Sequence, residues 1–324
     1  MDGLDHVLRR MGRHATALLP FSLVVGIVFQ DLATALRPLV GPLSALLLML
    51  ALMRTDWPRV RALLQRPVLA LALSTASLVA VPLVVWPFWS LMPIWHGLIA
   101  ALCLSAMAPT VISAATTATF LRLDNSLALL IALITNFAIP LTLPPLALWL
   151  LNLDLHIGVG ALSLRLLTIV VVALIGAIAI RAWLGPGRLR HNAERIDGLS
   201  IAVLIIYAIP LMDGVVARAL ADPAKLGGFV AASCAGALLT NAVMVLGCLP
   251  FLDRRSALTA GYCAGGRNNA LLMAVLPAAA DPDIFLFIAA VQVPIYVIPT
   301  LLQPIYRRLL RSPSDTAATT PTSP

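Results

Sequence analysis

Long apolar segments separated by short polar stretches run through almost the whole chain, and this pattern decides the predicted architecture. Each segment is close to the ~20 residues that an α-helix needs to cross the apolar core of a bilayer. The pattern predicts an all-α polytopic membrane protein with ten transmembrane helices. The predicted spans are 15–30, 36–53, 67–86, 95–121, 126–151, 158–184, 197–218, 227–252, 255–277 and 284–310.

Composition agrees with this assignment, since 60% of the residues are hydrophobic and only 11% are charged. The mean hydropathy is +0.98 and the isoelectric point is 10.2. The basic residues are spread among short loops and form no aromatic-rich patch, so we expect binding to a lipid bilayer and not to nucleic acid. The four cysteines fall within apolar segments without metal-ligand spacing, so we expect packing roles, no metal site and no cofactor.

The arginines between the spans are distributed unevenly, which indicates an orientation. If the N-terminus is cytoplasmic, seventeen arginines lie inside and three basic residues lie outside, as the positive-inside rule predicts for an even number of helices. We therefore expect a multi-pass protein of the plasma (inner) membrane with both termini in the cytoplasm. The inside set is Arg9, Arg10, Arg13, Arg54, Arg59, Arg61, Arg66, Arg122, Arg181, Arg188, Arg190, Arg195, Arg254, Arg255, Arg307, Arg308 and Arg311, and the outside set is Arg37, Arg218 and Lys225.

An internal repeat relates the two halves of the chain. An ungapped offset of 159 residues aligns 95–145 with 254–304, and each half contains a broken helix, an Asp-bearing turn and a helix with two prolines. The repeats, 15–151 and 158–310, hold five helices each, so the second must be inverted in the membrane relative to the first. Two inverted five-helix repeats are typical of secondary transporters that work by alternating access.

The repeats form one predicted membrane domain, 1–311, followed by a disordered cytoplasmic tail, 312–324. The tail is rich in Ser, Thr, Pro and Ala, a composition that does not build an apolar core. The first apolar segment follows three arginines and could also act as a cleaved signal peptide. We expect it to be retained as a helix, because its loss would spoil the division into two sets of five.

Helix-breaking and polar residues interrupt the fourth and ninth predicted helices at mid-membrane. Pro109 has no N–H and suits the first turn of a helix, which predicts a new half-helix starting at Thr110. In the ninth helix Gly265 and Gly266 favour unwinding, and Arg267 follows them. Irregular backbone and charge at this depth are tolerated only inside a protein or along a polar cavity. The alternative is a kinked helix whose arginine reaches the membrane surface or pairs with a neighbour.

These breaks predict a positively charged pocket. The second half of the ninth helix should start near Asn268, with its N-terminus facing that of the other half-helix, and Arg267 adds a full charge. Such a pocket favours a small organic anion, a carboxylate or sulfonate. No acidic residue is predicted at this depth, so either the substrate neutralises Arg267 or neighbouring amides and carbonyls solvate it. The predicted substrate-binding residues are Arg267, Asn268, Asn269, Thr110, Ser113, Thr116, Asn136 and Gln292, with Asn241 as a further polar candidate.

Other polar and aromatic residues in the spans have simpler interpretations. Each hydroxyl group could instead bond to the backbone of its own helix. Arg165, the other arginine within a span, should extend its long side chain to the outer surface, with a role on the substrate route as the alternative. Trp86, Trp89 and Trp95 flank an uncharged outer loop and are predicted to anchor the protein at the membrane interface.

Two stretches resemble the bile acid:sodium symporter family. AMAPTVISAATTATFLRLDNSLAL, at 106–129, is similar to the family's Cys-Pro-Gly-Gly stretch, which ends in a basic-Gly-Asn/Asp turn. GGRNNALLMAV, at 265–275, is similar to its Glu-x-Gly-x-Gln-Asn-x-x-Leu-Ala segment. The resemblance implies a core domain of helices 3, 4, 5, 8, 9 and 10 around crossed, broken helices 4 and 9. It also implies a panel domain of helices 1, 2, 6 and 7, and sodium-coupled uptake of organic anions.

The sodium part of the resemblance fails residue by residue. The family's sodium-ligating Ser-Asn pair falls on Ala114 and Ala115, its helix-five hydroxyls on Ala128 and Ala132, and its glutamate on Ala264. Alanine offers no side-chain oxygen, whereas a hard cation needs several oxygen ligands. We therefore expect this sodium site to be absent and Arg267 to act as a built-in cation.

The sequence thus favours a secondary transporter for a small organic anion, driven by H⁺ symport, by exchange or by the substrate gradient alone. One alternative keeps Na⁺ coupling through backbone carbonyls and Asn268. Another is a membrane receptor or sensor on the same scaffold. We expect no enzyme, because no nucleophile–base pair, paired carboxylates or metal-spaced His/Cys set occurs in any predicted span.

Overall fold

The structure, a computed structural model, describes residues 15–55, 57–58, 60, 67–151, 158–277 and 279–310. In these ranges the regular structure is helical, and β pairing is limited to one isolated bridge. A π-helical turn, Ala76–Ala80, joins the helices Pro67–Thr75 and Val81–Ser90. The α-helices, numbered in chain order, are α1 Ala15–Val28, α2 Gln30–Leu36, α3 Val40–Arg54, α4 Pro67–Thr75, α5 Val81–Ser90, α6 His96–Met107, α7 Ala114–Phe120, α8 Asn125–Leu151, α9 Val159–His191, α10 Ala193–Ala208, α11 Val215–Ala221, α12 Pro223–Cys248, α13 Arg254–Gly265, α14 Ala270–Val275, α15 Pro282–Ala290 and α16 Gln292–Leu310.

Six helical segments of the described residues are long and apolar enough to cross a membrane. A further candidate, Pro282–Ile295 with Val297–Leu310, is bent by 43°. The prediction of an all-α polytopic membrane protein is therefore confirmed. The fourth and ninth predicted spans do not qualify as single helices, because α6 is separated from α7 and α13 from α14 by non-helical backbone. The six segments are Gln30–Arg54, Pro67–Ser90, Asn125–Leu151, Val159–His191, Ala193–Ala221 and Pro223–Cys248.

A large apolar cluster packs around the interrupted helices. Its fully buried side chains include Leu104 on α6, Phe229 on α12 and Phe287 on α15. The outer face of α9 instead exposes large apolar side chains such as Leu164 and Ile175. An exposed surface of this kind suits contact with lipid, because lipid tails are as apolar as these side chains.

Trp89 differs from its predicted role as an interfacial anchor. Its side chain is buried, and its ring meets that of Phe88 edge-on with the centroids 4.9 Å apart. Trp86 is partly buried, whereas Trp95 is exposed and lies 5.9 Å from the ring centroid of Phe229. The short apolar helix α5 has no polar face, so the sequence alone did not reveal which tryptophan points into the bundle.

Charged side chains collect at two opposite ends of the bundle. Arg54, at the end of α3, binds Asp197 of α10 through hydrogen bonds of 2.6 and 2.8 Å. At the other end of the same two helices, Arg37 binds Asp213 at 3.0 Å. Arg181 lies at the Arg54 end, where it donates to the carbonyl groups that terminate α3. We call these the Arg54 end and the Arg37 end.

Two further basic side chains, Lys225 and Arg255, contact residues near these ends. Lys225 binds Asp283 of α15 at 2.7 Å, near Phe285, which Arg37 contacts at the Arg37 end. Arg255 donates to the carbonyl of Leu123 at 3.1 Å, in the turn before α8. The predicted tail, 312–324, lies outside the described residues, as do Arg9, Arg10, Arg13, Arg59, Arg61, Arg66 and Arg311 of the predicted inside set.

Candidate functional site

Helix α6 ends where Pro109 interrupts its backbone hydrogen bonds. Ala108 is extended, with φ −63° and ψ 154°, because the proline ring clashes with a helical conformation of the preceding residue. Residues 109–113 form no regular helix, and α7 starts at Ala114. The predicted start at Thr110 is therefore wrong by four residues.

Helix α13 ends at Gly265, and α14 starts at Ala270, close to the predicted start near Asn268. Gly265 is still helical and permits close packing, since a Cβ there would lie 2.7 Å from the carbonyl oxygen of Ala237 on α12. Gly266 is the first residue beyond the helix, with φ −89° and ψ 81°. The first glycine thus brings two helices together, and the second ends one of them.

The two interrupted segments pair with each other in an antiparallel arrangement that we call the crossing, residues 108–113 and 266–269. Thr110 and Arg267 form its bridge. Beside the bridge, the N–H groups of Val111 and Asn268 donate to carbonyls of the facing segment at 3.0 and 2.8 Å. Backbone groups at this depth need such partners because lipid offers none. The pairing keeps this part of the chain extended, which explains the late start of α7.

Two side chains of α8 and a backbone carbonyl of α13 hold the crossing in place. Thr135 Oγ1 accepts the N–H of Thr110 at 3.2 Å, and Asn136 Nδ2 donates to the Thr110 carbonyl at 2.8 Å. Thr110 Oγ1 in turn donates to the carbonyl of Cys263 at 2.9 Å. Thr110 is fully buried, and its polar atoms are committed to the crossing rather than to its own helix.

Arg267 is only 3% exposed, and backbone carbonyls hold its guanidinium. Nη1 donates to the carbonyl of Ala108 and Nη2 to that of Ser77, both at 2.8 Å. Ser77 belongs to the π-helical turn, where the regular i→i+4 ladder is interrupted. Nε has no hydrogen-bond partner among the described residues. Carbonyl groups therefore solvate two of the three nitrogens, which was one of the two outcomes expected from the sequence.

A cavity of about 330 Å³, the interface cavity, lies between the crossing and helices α3, α9 and α10. The crossing and α8 contribute three predicted residues to its wall, Ser113, Asn136 and Asn268. The opposite wall includes the hydroxyl groups of Ser44 and Tyr207. A largely apolar cavity of this volume with a few polar groups is typical of a small-molecule site.

The interface cavity leads towards the Arg54 end. A wider recess of about 710 Å³ shares Ala51, Arg54 and Ser113 with it and extends past Thr116, another predicted residue. The Arg54 and Asp197 side chains at this mouth are 39% and 49% exposed and neutralise each other. A solute could therefore reach the crossing from this end without meeting an unpaired charge at the mouth.

A smaller cavity of about 70 Å³, the core cavity, lies among α6, α12, α13, α15 and α16. Arg267 and Asn269 line it, whereas Asn268 lines the interface cavity. Consecutive residues of an extended segment point to opposite sides, which accounts for the separation of Arg267 from Asn268. Asn269 Oδ1, like Arg267 Nε, is buried without a partner, and no described residue lining this cavity is acidic.

The structure thus divides the predicted substrate-binding residues instead of gathering them in one pocket. Ser113 touches both cavities, and Thr116 lines only the outer recess. Gln292, at the start of α16, lines neither cavity and donates to the carbonyl of Ile288 on the preceding helix α15 at 2.9 Å. Asn241 lines the core cavity and donates to the hydroxyl of Tyr306 at 2.7 Å.

Arg165 is exposed, and its guanidinium also contacts the end of α14. Its Nη1 donates to the carbonyl of Val275 at 3.0 Å. Val275 ends α14, so its carbonyl has no partner within the helix and lies at the negative end of the helix dipole. Arg165 therefore joins α9 to the second half of an interrupted helix.

Sequence reasoning missed the polar residues on the far wall of the interface cavity. Ser44 Oγ and Tyr207 Oη lie 3.0 Å apart, and Ser44 also donates to the carbonyl of Val40. A hydroxyl residue inside an apolar helix was the available signal. It is a weak signal, because such a residue commonly bonds only to its own helix.

The alanines at the sodium-ligand positions of the resemblance pack as apolar residues. Ala114, Ala128, Ala132 and Ala264 are completely buried, and Ala115 is partly buried. Comparisons with protein-family models and with curated proteins found no match to this chain. Functional inference therefore depends on the crossing, the two cavities and the side chains that line them.

Proposed function

We propose that this protein is a secondary transporter that moves a small organic anion across the membrane by alternating access. The observation that carries the proposal is a crossing of two interrupted helices beside a cavity of about 330 Å³ that leads to one end of the bundle. Non-helical backbone at membrane depth persists where it is buried in protein or lines a solute pathway. Interrupted helices beside a central binding site are a recurring feature of secondary transporters.

Ten membrane crossings in two inverted repeats, 15–151 and 158–310, form part of the proposal. The N–H of Asn268 donates to the carbonyl of Pro109 at 2.8 Å. These residues are 268 − 109 = 159 positions apart, which is the offset that aligns the two halves of the sequence. A twofold axis between repeats passes through a point where a residue meets its own equivalent. The hydrogen bond and the sequence offset therefore support the same symmetry.

The orientation and the moving parts also belong to the proposal. The Arg54 end carries described members of the predicted inside set, so we place it in the cytoplasm of a plasma (inner) membrane protein. The interface cavity then faces inward. The panel comprises α1–α3, α9 and α10, and the core holds the crossing. Substrate in the interface cavity would contact both, so a change in their relative position would alter its access.

The preference for an anion follows from the charges near the crossing. Arg267 is adjacent to Asn268, which lines the interface cavity. A unit charge on the order of 8 Å away contributes about 2 kcal/mol at an effective dielectric constant of about 20. Asp197 is the only acidic residue among the described residues of the wall, and it is bound to Arg54. The potential inside the cavity should therefore be positive.

We also propose that transport does not use sodium at the position implied by the resemblance. The five alanines supply no side-chain oxygen there, and the guanidinium of Arg267 donates to the carbonyls of Ala108 in the crossing and Ser77 in the π-helical turn. Uptake should therefore be equal in sodium and choline media. A saturable sodium requirement would favour the alternative in which carbonyls and Asn268 hold the ion.

The test begins with a ligand-stability screen of purified protein against monocarboxylates, keto acids, pantothenate-like acids and steroid acids. Compounds that stabilise the protein are then assayed for uptake into proteoliposomes. Asn268→Ala should weaken the apparent affinity by about 10-fold or more, the effect of one lost hydrogen bond to a charged ligand. Asn192→Ala removes an amide that bonds at the surface and is the matched control.

The outcomes separate the candidate functions. Saturable uptake that falls in Asn268→Ala but not in Asn192→Ala supports the proposal. Stabilisation by a ligand without uptake would favour a receptor or sensor. Failure of every organic anion to stabilise the protein or enter the vesicles would contradict the proposed substrate class.

A further inference from the structure

We propose that the core cavity binds a small monovalent inorganic anion, of halide or nitrate size, as the counter-ion of Arg267. This site is distinct from the interface cavity and does not depend on transport. The proposal starts from a charge without a counter-charge. Arg267 is 3% exposed, and no described residue that lines the core cavity is acidic. A buried charge is strongly disfavoured unless an opposite charge accompanies it.

Hydrogen-bond donors of this guanidinium remain unused. Backbone carbonyls accept one bond from Nη1 and one from Nη2, and Nε has no partner among the described residues. A guanidinium carries five N–H donors, so carbonyl contacts satisfy only part of its capacity. An anion in the adjoining cavity would accept from Nε and neutralise the charge at the same time.

Asn269 provides a second, independent sign of a missing ligand. Its side chain is 1% exposed and lines the same cavity. Oδ1 has no partner, and Nδ2 makes only a long contact of 3.5 Å with the carbonyl of Arg267. A half-turn of the amide would direct Nδ2 into the cavity as a second donor, and an unpaired buried amide is otherwise costly.

The size and the wall of the cavity define the class of ligand. A volume of about 70 Å³ exceeds the ~10–15 Å³ that one ordered water requires, so an ion with one or two waters fits. The interface cavity is several times larger and suits organic acids. Apolar side chains such as Leu102 and Phe287 form much of the core wall, which suits a weakly hydrated anion. The nearby guanidinium disfavours metal cations.

Thermal unfolding of the detergent-purified full chain tests the site directly. Sodium chloride, bromide or nitrate replaces sodium gluconate at constant ionic strength, so that sodium stays fixed and only the anion changes. The unfolding midpoint should rise saturably by about 2–4 °C with the small anions and not with gluconate. Arg267→Met should abolish the rise. Arg165→Met, which removes another arginine within the helices that lines neither cavity, should retain it.

Two further measurements test the same site without Arg267→Met, in case that variant does not fold. Asn269→Leu preserves the guanidinium and should weaken halide affinity by about 10-fold through loss of one donor. Crystals grown in bromide should show an anomalous peak within hydrogen-bond distance of Arg267 Nε. Three results would each overturn the proposal. They are an unfolding midpoint that rises with gluconate as much as with chloride, a halide affinity unchanged in Asn269→Leu, and electron density for water alone beside Arg267 Nε.

Discussion

Replacing Arg165 with methionine should weaken the closure of the bundle at the Arg37 end. Arg165 on α9 donates to the carbonyl of Val275, the last residue of α14, at 3.0 Å. In the proposed architecture α9 belongs to the panel and α14 to the core, so this bond must break when the cavity opens at that end. Arg37 makes a second contact of this kind, with its guanidinium 4.6 Å from the ring centroid of Phe285.

The size of the effect follows from the environment of the bond. A hydrogen bond from a charged donor contributes roughly 1.5–3 kcal/mol, and screening at an exposed residue such as Arg165 lowers this to about 1 kcal/mol. A change of about 1 kcal/mol alters the ratio of two conformations about five-fold. Methionine keeps the apolar stem of the side chain, so the substitution removes the bond with little change in packing.

Distances between spin labels at Ala161→Cys and Ala279→Cys, both at exposed positions, measure the opening in nanodiscs. Arg165→Met should raise the population at the longer distance, relative to the population at the shorter distance, about five-fold. Arg181→Met is the matched control, because Arg181 lies on the same helix but donates to the Met53 carbonyl within the proposed panel. It should lower thermal stability and leave the distance distribution unchanged.

A distance distribution in Arg165→Met that equals that of the parent protein would contradict the assigned role of this bond. An equal change in Arg181→Met would also contradict it, since that result would assign the effect to a general loosening of α9. Arg165→Lys provides a further check, because a shorter point donor should restore only part of the closed population.

Three further predictions concern stability. Gly265→Ala should cost about 1–3 kcal/mol in unfolding free energy, because its Cβ would lie 2.7 Å from a backbone oxygen, whereas Gly247→Ala meets nothing within 4 Å and should be neutral or stabilising. Tyr306→Phe should cost about 1–3 kcal/mol in denaturant titrations, because the buried amide of Asn241 loses its acceptor. Hydrogen bonds with Ser256 lower the pKa of Asp253, so its contribution should be complete above about pH 4 and fall as the pH decreases further. Thermal midpoints of Asp253→Asn should lack this part of the acid dependence.

The sequence located the helix breaks because local backbone chemistry determines them. Pro109 cannot continue the hydrogen bonds of α6, and the residue before it becomes extended wherever the segment lies. The start of α7 was misplaced because it depends on pairing with a segment more than 150 residues away. No local signal near Thr110 reports that pairing. Helix breaks could therefore be predicted where neighbouring residues determine the backbone conformation. The start of a helix was predicted wrongly where pairing with a distant segment determines it.

The division of the site into two cavities could have been anticipated in part. An extended Arg267-Asn268 pair must direct its side chains to opposite sides, so both residues could not face one pocket. The groups that accept hydrogen bonds from the guanidinium could not be predicted, because every residue has a backbone carbonyl and the sequence does not indicate which ones Arg267 contacts. The carbonyl of Ser77 became available only through a π-helical turn that none of the predicted spans indicated.

One charge between two cavities has a thermodynamic consequence. Arg267 adjoins the core cavity directly and lies one residue from Asn268 in the interface cavity. An anion in either cavity reduces the positive potential in the other, so the two ligands of the proposed architecture must oppose each other's binding. Linkage requires the opposition to be equal in both directions. A small anion that leaves the core cavity would strengthen substrate binding, and a bound substrate would release the small anion. In the proposed architecture, Arg267 would therefore link the release of the small anion to the binding of substrate.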